Sequence, residues 1–176
     1  MSRVELLMFT MDDAYARVRA RLDGLTDEEF FWQPVPESWT IHQDRPGHWA
    51  YHYAIPDPDP APTTTIGWQL VHLWTCKVMY HEWAYGAARM TFPDLEIPHD
   101  ALTAIDLFDQ GHKLLRDDLR GESESGLDQP RKTNWGDTWP AWRIFTAMTD
   151  HDAFHGGAIG YLRDLFNWSR RGSALG

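Results

Sequence analysis

The sequence predicts an all-α protein, a four-helix bundle with long crossover connections, on three observations. Four segments repeat apolar residues at three-and-four spacing, the period of a helix with one buried face. Seven of the eleven prolines fall between Pro34 and Pro62, outside those segments, where no helix can run. At 176 residues with one cysteine, the chain is long enough to bury a core as a single domain over 1–176, without a disulfide or a structural metal.

The first segment, Ser2 to about Leu25, repeats Met8, Met11, Tyr15, Val18, Leu22 and Leu25, with Asp13, Arg17, Arg19, Arg21 and Asp23 on the opposite side. Gly24 lies near its end, and the capping-box pattern Thr26-Asp27-Glu28-Glu29 starts a short second helix to about Trp32. The connection over 33–62 is proline-rich, yet Trp39, His42, His48, Trp49, Tyr51, His52 and Tyr53 make it too aromatic for a disordered linker. Long ordered connections tend to be lids or binding loops, so this one reads as lid-like and packed over one end of the bundle. A structural crossover whose aromatics fill a gap fits equally well. His48 and His52 are four apart, but Pro46, Gly47 and the alternation of Trp49, Tyr51 and Tyr53 argue for extended chain and make both weak ligands.

Thr63-Thr64-Thr65 offer N-cap hydroxyls for the next helix, which should run to about Met90 with Trp68, His72, Cys76, Met79 and Trp83 inward. At about 100° per residue, His81 falls on its opposite face and Glu82 well off the stripe. After a linker over Phe92–Pro98, the third long helix spans about Asp100 to Leu119, with Leu102, Ile105, Phe108, His112, Leu115 and Leu119 on its apolar face and Gly121 closing it. The connection over 122–139 is polar and rich in Gly and Ser. Trp139-Pro140 should then open the last helix, capped by Thr138, with Ile144, Met148, His151, His155, Ile159 and Leu162 inward. Gly156, Gly157 and Gly160 inside it cost roughly 1 kcal/mol each against Ala, a cost that close approach of a helix or ligand would explain.

His151 and His155 project from one helical face a turn apart, both in the inward stripe, and His72 is an inward histidine on a second helix. Three neutral imidazoles can hold a divalent ion, zinc or nickel, and keep one coordination position open. Cys76 lies one turn along from His72 and can approach the ion, though a lone buried cysteine is usually a small core residue. His112 reads as a hydrogen-bonded core or outer-layer group. Asp152, Trp68, Trp49 and His52 join Cys76 and His112 as residues that would support the ligands or line a pocket.

Net charge is −10 and no Lys/Arg run occurs, which argues against a nucleic-acid partner. No targeting segment or membrane span is evident, and the single cysteine fits a reducing cytosol, so the expected location is cytoplasmic. Ten tryptophans are a large share for this length, and some should line a pocket for a small-molecule substrate. Neither a phosphate-binding glycine loop nor a nucleophile elbow is present.

Four long helices, with Thr65-Ile66-Gly67-Trp68-Gln69-Leu70-Val71-His72-Leu73 on the second and His151-Asp152-Ala153-Phe154-His155-Gly156-Gly157 on the fourth, resemble the DinB-like family of bacterial metalloproteins over nearly the whole chain. The resemblance implies His72, His151 and His155 as the metal ligands and a homodimer. It also implies a thiol-dependent transferase or isomerase that uses a low-molecular-weight thiol such as mycothiol, bacillithiol or glutathione. Many relatives follow the second histidine of the pair with a polar run such as Arg-Gly-Gln, where this chain has Gly156-Gly157-Ala158.

A thiol entering the open position would lose its proton to become the nucleophile at neutral pH. A metal-dependent hydrolase that activates water is the alternative enzyme; His151-Asp152-x-x-His155 looks superficially like the zinc-peptidase motif, with Asp shorter than Glu by a methylene. A bundle that binds metal or ligand without turnover is the non-catalytic alternative.

Overall fold

The helix starts follow from side chains that satisfy otherwise unpaired first-turn amides. Ser2 Oγ accepts from Glu5 N and Glu5 Oε2 accepts from Ser2 N, opening α1 (Arg3–Leu22), and Thr26 with Glu29 does the same for α2 (Asp27–Phe31). Thr65 caps α3 (Ile66–Ala84), accepting from Trp68 N, and Asp100 caps α4 (Ala101–Gly121), accepting from Thr103 N. The last helix, α5, spans Ala141–Ser173. The structure is a computed structural model, and it describes residues 1–56 and 58–173.

Helices α1, α3, α4 and α5 form the bundle, with α1 and α3 each packed between α4 and α5. Directions follow from the cross-helix pairs. Tyr15 and Arg19 meet Asp109 while Asp12 meets Arg116, so α1 and α4 are antiparallel. His81 meets Asp118 and Tyr85 meets Glu122, whereas Gly111 lies against Lys77, so α3 and α4 run the same way. Gln69 meets His155 and His72 meets His151, which makes α3 and α5 antiparallel. The connections over 33–62 and 122–139, long enough for crossovers, each step across a diagonal at one end, and it is 85–100 that runs back along the bundle to join two parallel helices.

The connection after α2 forms a hairpin of β1 (Ile41–Arg45) and β2 (His48–Tyr51), turned at Gly47 with φ +76°. Trp39 N donates to Thr63 O and Thr65 N to Trp39 O, tying the hairpin's base to the start of α3. From there it lies along the flank of α3: the Tyr51 ring is 6.4 Å from that of Trp68, and the Trp49 ring stacks on His99, beside the start of α4, at 4.7 Å. A second small hairpin, β3 (Pro130–Lys132) with β4 (Thr138–Pro140), precedes α5.

Three boundaries depart from the sequence reading. α3 stops at Ala84 rather than near Met90, because Gly86 N bonds back to His81 O and Glu82 O and Ala88 takes φ 55°. Trp139 and Pro140 belong to β4, so Thr138 is paired with Lys132 and caps nothing. Gly121 is still helical, and Glu122 ends α4 in an extended conformation.

The core forms two clusters. One joins Val18, Leu22, Phe30, Ile66, Leu70, Leu73, Phe108 and Ile159; the other joins Met11, Cys76, Leu115, Leu119, Ile144, Phe145 and Met148. α1 and α5 approach closely at Gly156, where a Cβ would sit 2.7 Å from Val18 Cγ2; at Gly160 a Cβ would meet only the movable end of the Arg21 side chain, so of the two only Gly156 marks close packing of the helices. Gly157 meets nothing within 4 Å, so close packing of the helices accounts for one of the three glycines.

Candidate metal centre

Because α3 and α5 are antiparallel neighbours, their inward stripes meet, and His72 faces His151 and His155. His72 Nε2 and His151 Nε2 lie 3.1 Å apart. The ring of His155 is 4.9 Å from that of His72 and 4.4 Å from that of His151, centroid to centroid. Cys76, one turn on from His72, brings Sγ to 3.9 Å from both nitrogens of that ring. One ligand atom each from His72, Cys76 and His151 falls within a common 4.8 Å, the separation at which a single ion can be shared.

Burial sets the protonation of this cluster. His151 is pushed down to about 2 by burial, then by its neighbours His155, His72 and Lys77, and His155 to about 3 by burial and His72. Both imidazoles are therefore neutral at physiological pH and keep a lone pair for a cation. Burial pushes the Cys76 thiol up to about 12 in the absence of such a cation.

The donor set fits a divalent ion. His151 Nδ1 is buried without a protein partner, while its Nε2 points at another imidazole nitrogen. Whichever nitrogen of His151 carries the proton, its Nδ1 has no protein partner. A shared ion between Nε2 atoms is what soft, neutral, converging nitrogen donors suit.

The residues around the cluster hold it in place. Gln69 Oε1 accepts from His155 Nδ1–H, and Gln69 Nε2 donates to Thr64 Oγ1 at 2.6 Å, so the Thr64–Gln69 pair fixes the amide and leaves Nε2 as the His155 nitrogen for an ion; His155 is not among the three residues whose ligand atoms share the common 4.8 Å. The Trp68 indole stacks on His72 at 4.8 Å and 17°, and its Nε1 donates to His52 O at 2.7 Å. Phe154 stands edge-on to His155 at 5.1 Å.

Between the two α5 histidines, Asp152 turns to the other side and accepts from Lys77 Nζ at 2.6 Å, with the two side chains 0% and 1% exposed. Asp152 is thereby committed to an interhelical ion pair. It does not occupy the general-base position that the zinc-peptidase resemblance would require of it. Burial raises its carboxyl, opposed by the Lys77 charge.

Other residues singled out in the sequence lie elsewhere. His112 sits on the α1–α4 seam, with Nε2 against Asp12 at 3.2 Å and its ring stacked on Tyr15 at 3.8 Å. His52 reaches the cluster only through its carbonyl on Trp68, and its ring pairs with Thr40 and packs near His42 and Trp39. Trp49 is one layer out, in an apolar groove of about 280 Å³ that it lines with Tyr51, Tyr53, Phe92, Leu95 and Ile97. Tyr51 links groove and cluster, touching Thr75 and lying 6.4 Å from the Trp68 ring. His48 bonds Asp44 and His81 bonds Asp118, away from the other histidines.

Thr64 enters the sequence reading only as a candidate N-cap and Gln69 only within the second-helix signature, and Lys77 does not enter it. Gln69 lies three residues before His72, hence on a neighbouring face, and Lys77 is the sole charge between Ile66 and Tyr80. An isolated charge in so apolar a helix demands a buried partner, and that was the available signal.

A family model described as the DinB superfamily matches residues 10–159. No curated protein matches the chain at a significant level.

Proposed function

We propose that this chain, which belongs to the DinB superfamily, holds a divalent zinc or nickel ion on His72, His151 and His155 and transfers a low-molecular-weight thiol to a small electrophile; His72 and His151 share the common 4.8 Å with Cys76, and the His155 ring lies 4.4 Å from that of His151. The observation that carries the reading is the meeting of imidazoles from two antiparallel helices, with Nε2 atoms of His72 and His151 3.1 Å apart. Bound there, the ion would supply the positive charge that keeps a cosubstrate sulfur as thiolate at neutral pH.

The chain's own residues divide the remaining work. Gln69 orients His155, and Trp68 holds His72 flat against its indole. Tyr51 and the β1–β2 hairpin cover the Thr75 side of α3 and limit water, and the adjoining groove of about 280 Å³ has the size and apolar lining for a small organic substrate. Mycothiol, bacillithiol and glutathione are the thiols to test first. Asp152 is tied to Lys77, which weighs against the hydrolase reading.

We further take the chain to be one cytoplasmic domain that forms a homodimer. Among the described residues no helix is long and apolar enough to cross a membrane. Phe154, Tyr161 and Trp168, seven residues apart along α5, leave aromatic side chains 71%, 65% and 68% exposed, a stripe suited to a second copy.

The test incubates tag-free, metal-loaded protein with each thiol and a panel of electrophiles, reading thioether products by mass spectrometry. Product that needs metal and thiol and is lost in His72→Ala is expected. Inactivity across the panel would leave a metal-binding bundle, and ester or amide cleavage without thiol would point to a hydrolase.

A further inference from the structure

We propose that Cys76 is a fourth protein ligand of this centre, so that an external thiol enters by displacing a thiolate the chain itself supplies. The inference rests on the reading of His72, His151 and His155 as metal ligands.

Two helices present matched pairs. His72 and Cys76 stand at i and i+4 on α3, and His151 and His155 at i and i+4 on α5, with the helices antiparallel, so His72 and Cys76 bring ligand atoms to His151 while the His155 ring stands 4.9 Å from that of His72. Their spacing can be compared with a tetrahedral site. Bond lengths near 2.05 Å to imidazole nitrogen and 2.3 Å to thiolate sulfur give edges of roughly 3.3 Å between two nitrogens and roughly 3.6 Å between nitrogen and sulfur. The structure has 3.1 Å between the Nε2 atoms of His72 and His151 and 3.9 Å from Cys76 Sγ to His72 Nε2. The nitrogen–nitrogen edge lies within a few tenths of an ångström of the tetrahedral value; Cys76 Sγ, 3.9 Å from both His72 nitrogens, lies beside the ring, so a side-chain rotation must carry it onto the ion, and it already meets the common 4.8 Å limit with His72 and His151.

Cys76 is 6% exposed and packs beside Met11, Tyr80 and Met148, so its sulfur is shielded from solvent and oriented by the helix that carries His72. The bond changes balance without an oxidant or reductant. On binding, the Cys76 S–H bond is replaced by a sulfur–metal bond, and the proton passes to solvent. When an external thiol takes the position, its S–H proton is transferred to the released Cys76 sulfur, which returns to the neutral thiol, and total charge is unchanged. Three histidines and one cysteine would close the first shell of a zinc-sized ion, which makes the resting site resistant to adventitious water and selective for incoming sulfur.

The test is the absorption spectrum of the full chain loaded with cobalt(II) in thiol-free buffer. Cys76 is the chain's single cysteine, so a thiolate-to-cobalt charge-transfer band in the near ultraviolet of the parent protein can come from no other residue. We expect that band at one cobalt per chain. Cys76→Ser should lose it, keep one bound cobalt with the visible bands of a histidine site, bind at least tenfold more weakly, and regain a near-ultraviolet band on addition of 2-mercaptoethanol. Stoichiometric cobalt without the band in the parent would overturn the role of Cys76 while leaving the histidine site standing. Failure of the parent to bind cobalt, or equal binding by His72→Ala, would overturn the histidine reading and the present inference with it. Because the parent spectrum decides alone, the conclusion survives a poorly folding variant.

Discussion

Gln69 is the residue whose removal tests most sharply whether the cluster is organised for coordination. Its Oε1 accepts from His155 Nδ1–H while its Nε2 is anchored on Thr64 Oγ1 at 2.6 Å, which leaves His155 Nε2 as the free lone pair. Gln69→Leu keeps similar bulk at a position 7% exposed but removes the acceptor. The buried Nδ1–H then lacks its partner, at a cost to apoprotein stability of about 1–3 kcal/mol. Independently, His155 is free to take the wrong tautomer or ring angle, and losing such a partner typically weakens metal binding 10- to 100-fold, about 1.4–2.7 kcal/mol. Gln69→Glu keeps an acceptor and adds charge, so it should bind metal at least as tightly as the parent. Competition against a chromophoric chelator measures affinity, and chemical denaturation in the presence of chelator measures apoprotein stability. Parent-like affinity in Gln69→Leu, with stability reduced, would mean that the Gln69–His155 bond serves packing only and would refute the argument.

The remaining expectations concern the fold around the site. Lys77→Met removes one member of an ion pair whose side chains are 1% and 0% exposed, leaving a buried carboxyl, and should cost about 3–5 kcal/mol in urea unfolding. Lys77→Met combined with Asp152→Leu should recover most of that, and a double variant as unstable as the additive sum would contradict it. His112, held down at about 4 by burial and Lys77 against an ordinary 6.5, gives a defined acid window. Above pH 6.5 neither state binds its proton; from 6.5 to about 4 the unfolded chain is protonated first and stability falls, to a total near 3 kcal/mol. His112→Phe, which can keep the stack on Tyr15, should flatten that part of the stability-versus-pH curve relative to the parent; an unchanged curve would show that His112 does not set it.

Much of this architecture was legible in the sequence because helical period and capping chemistry are local. The capping boxes at Ser2 and Thr26, the apolar stripes, and the shared face of His151 and His155 all depend on residues within a few positions of one another. What escaped depends on which helices are neighbours. Nothing in the pattern of 85–100 reveals that α3 and α4 run parallel, so length alone does not point to it as the lengthwise crossover. His112 has the same inward periodicity as His72, yet it faces Asp12 on α1, because α4 and α5 are diagonal partners. The 33–62 connection was legible as ordered and aromatic but not as a hairpin on the flank of α3, since its anchor, Trp39 with Thr63 and Thr65, pairs backbone groups more than twenty residues apart. Lys77 and Gln69 were visible as polar residues in an apolar helix, and only the antiparallel setting of α5 reveals their partners.

The central claim is that His72, His151 and His155 form a metal site. Elemental analysis of the purified, tag-free protein beside His72→Ala and His151→Ala tests it most directly. One zinc or nickel per chain in the parent, lost in both variants, is the result the account predicts. A parent without metal after reloading, or variants that retain it in full, would contradict the account and leave the histidine cluster as a packed feature of the core.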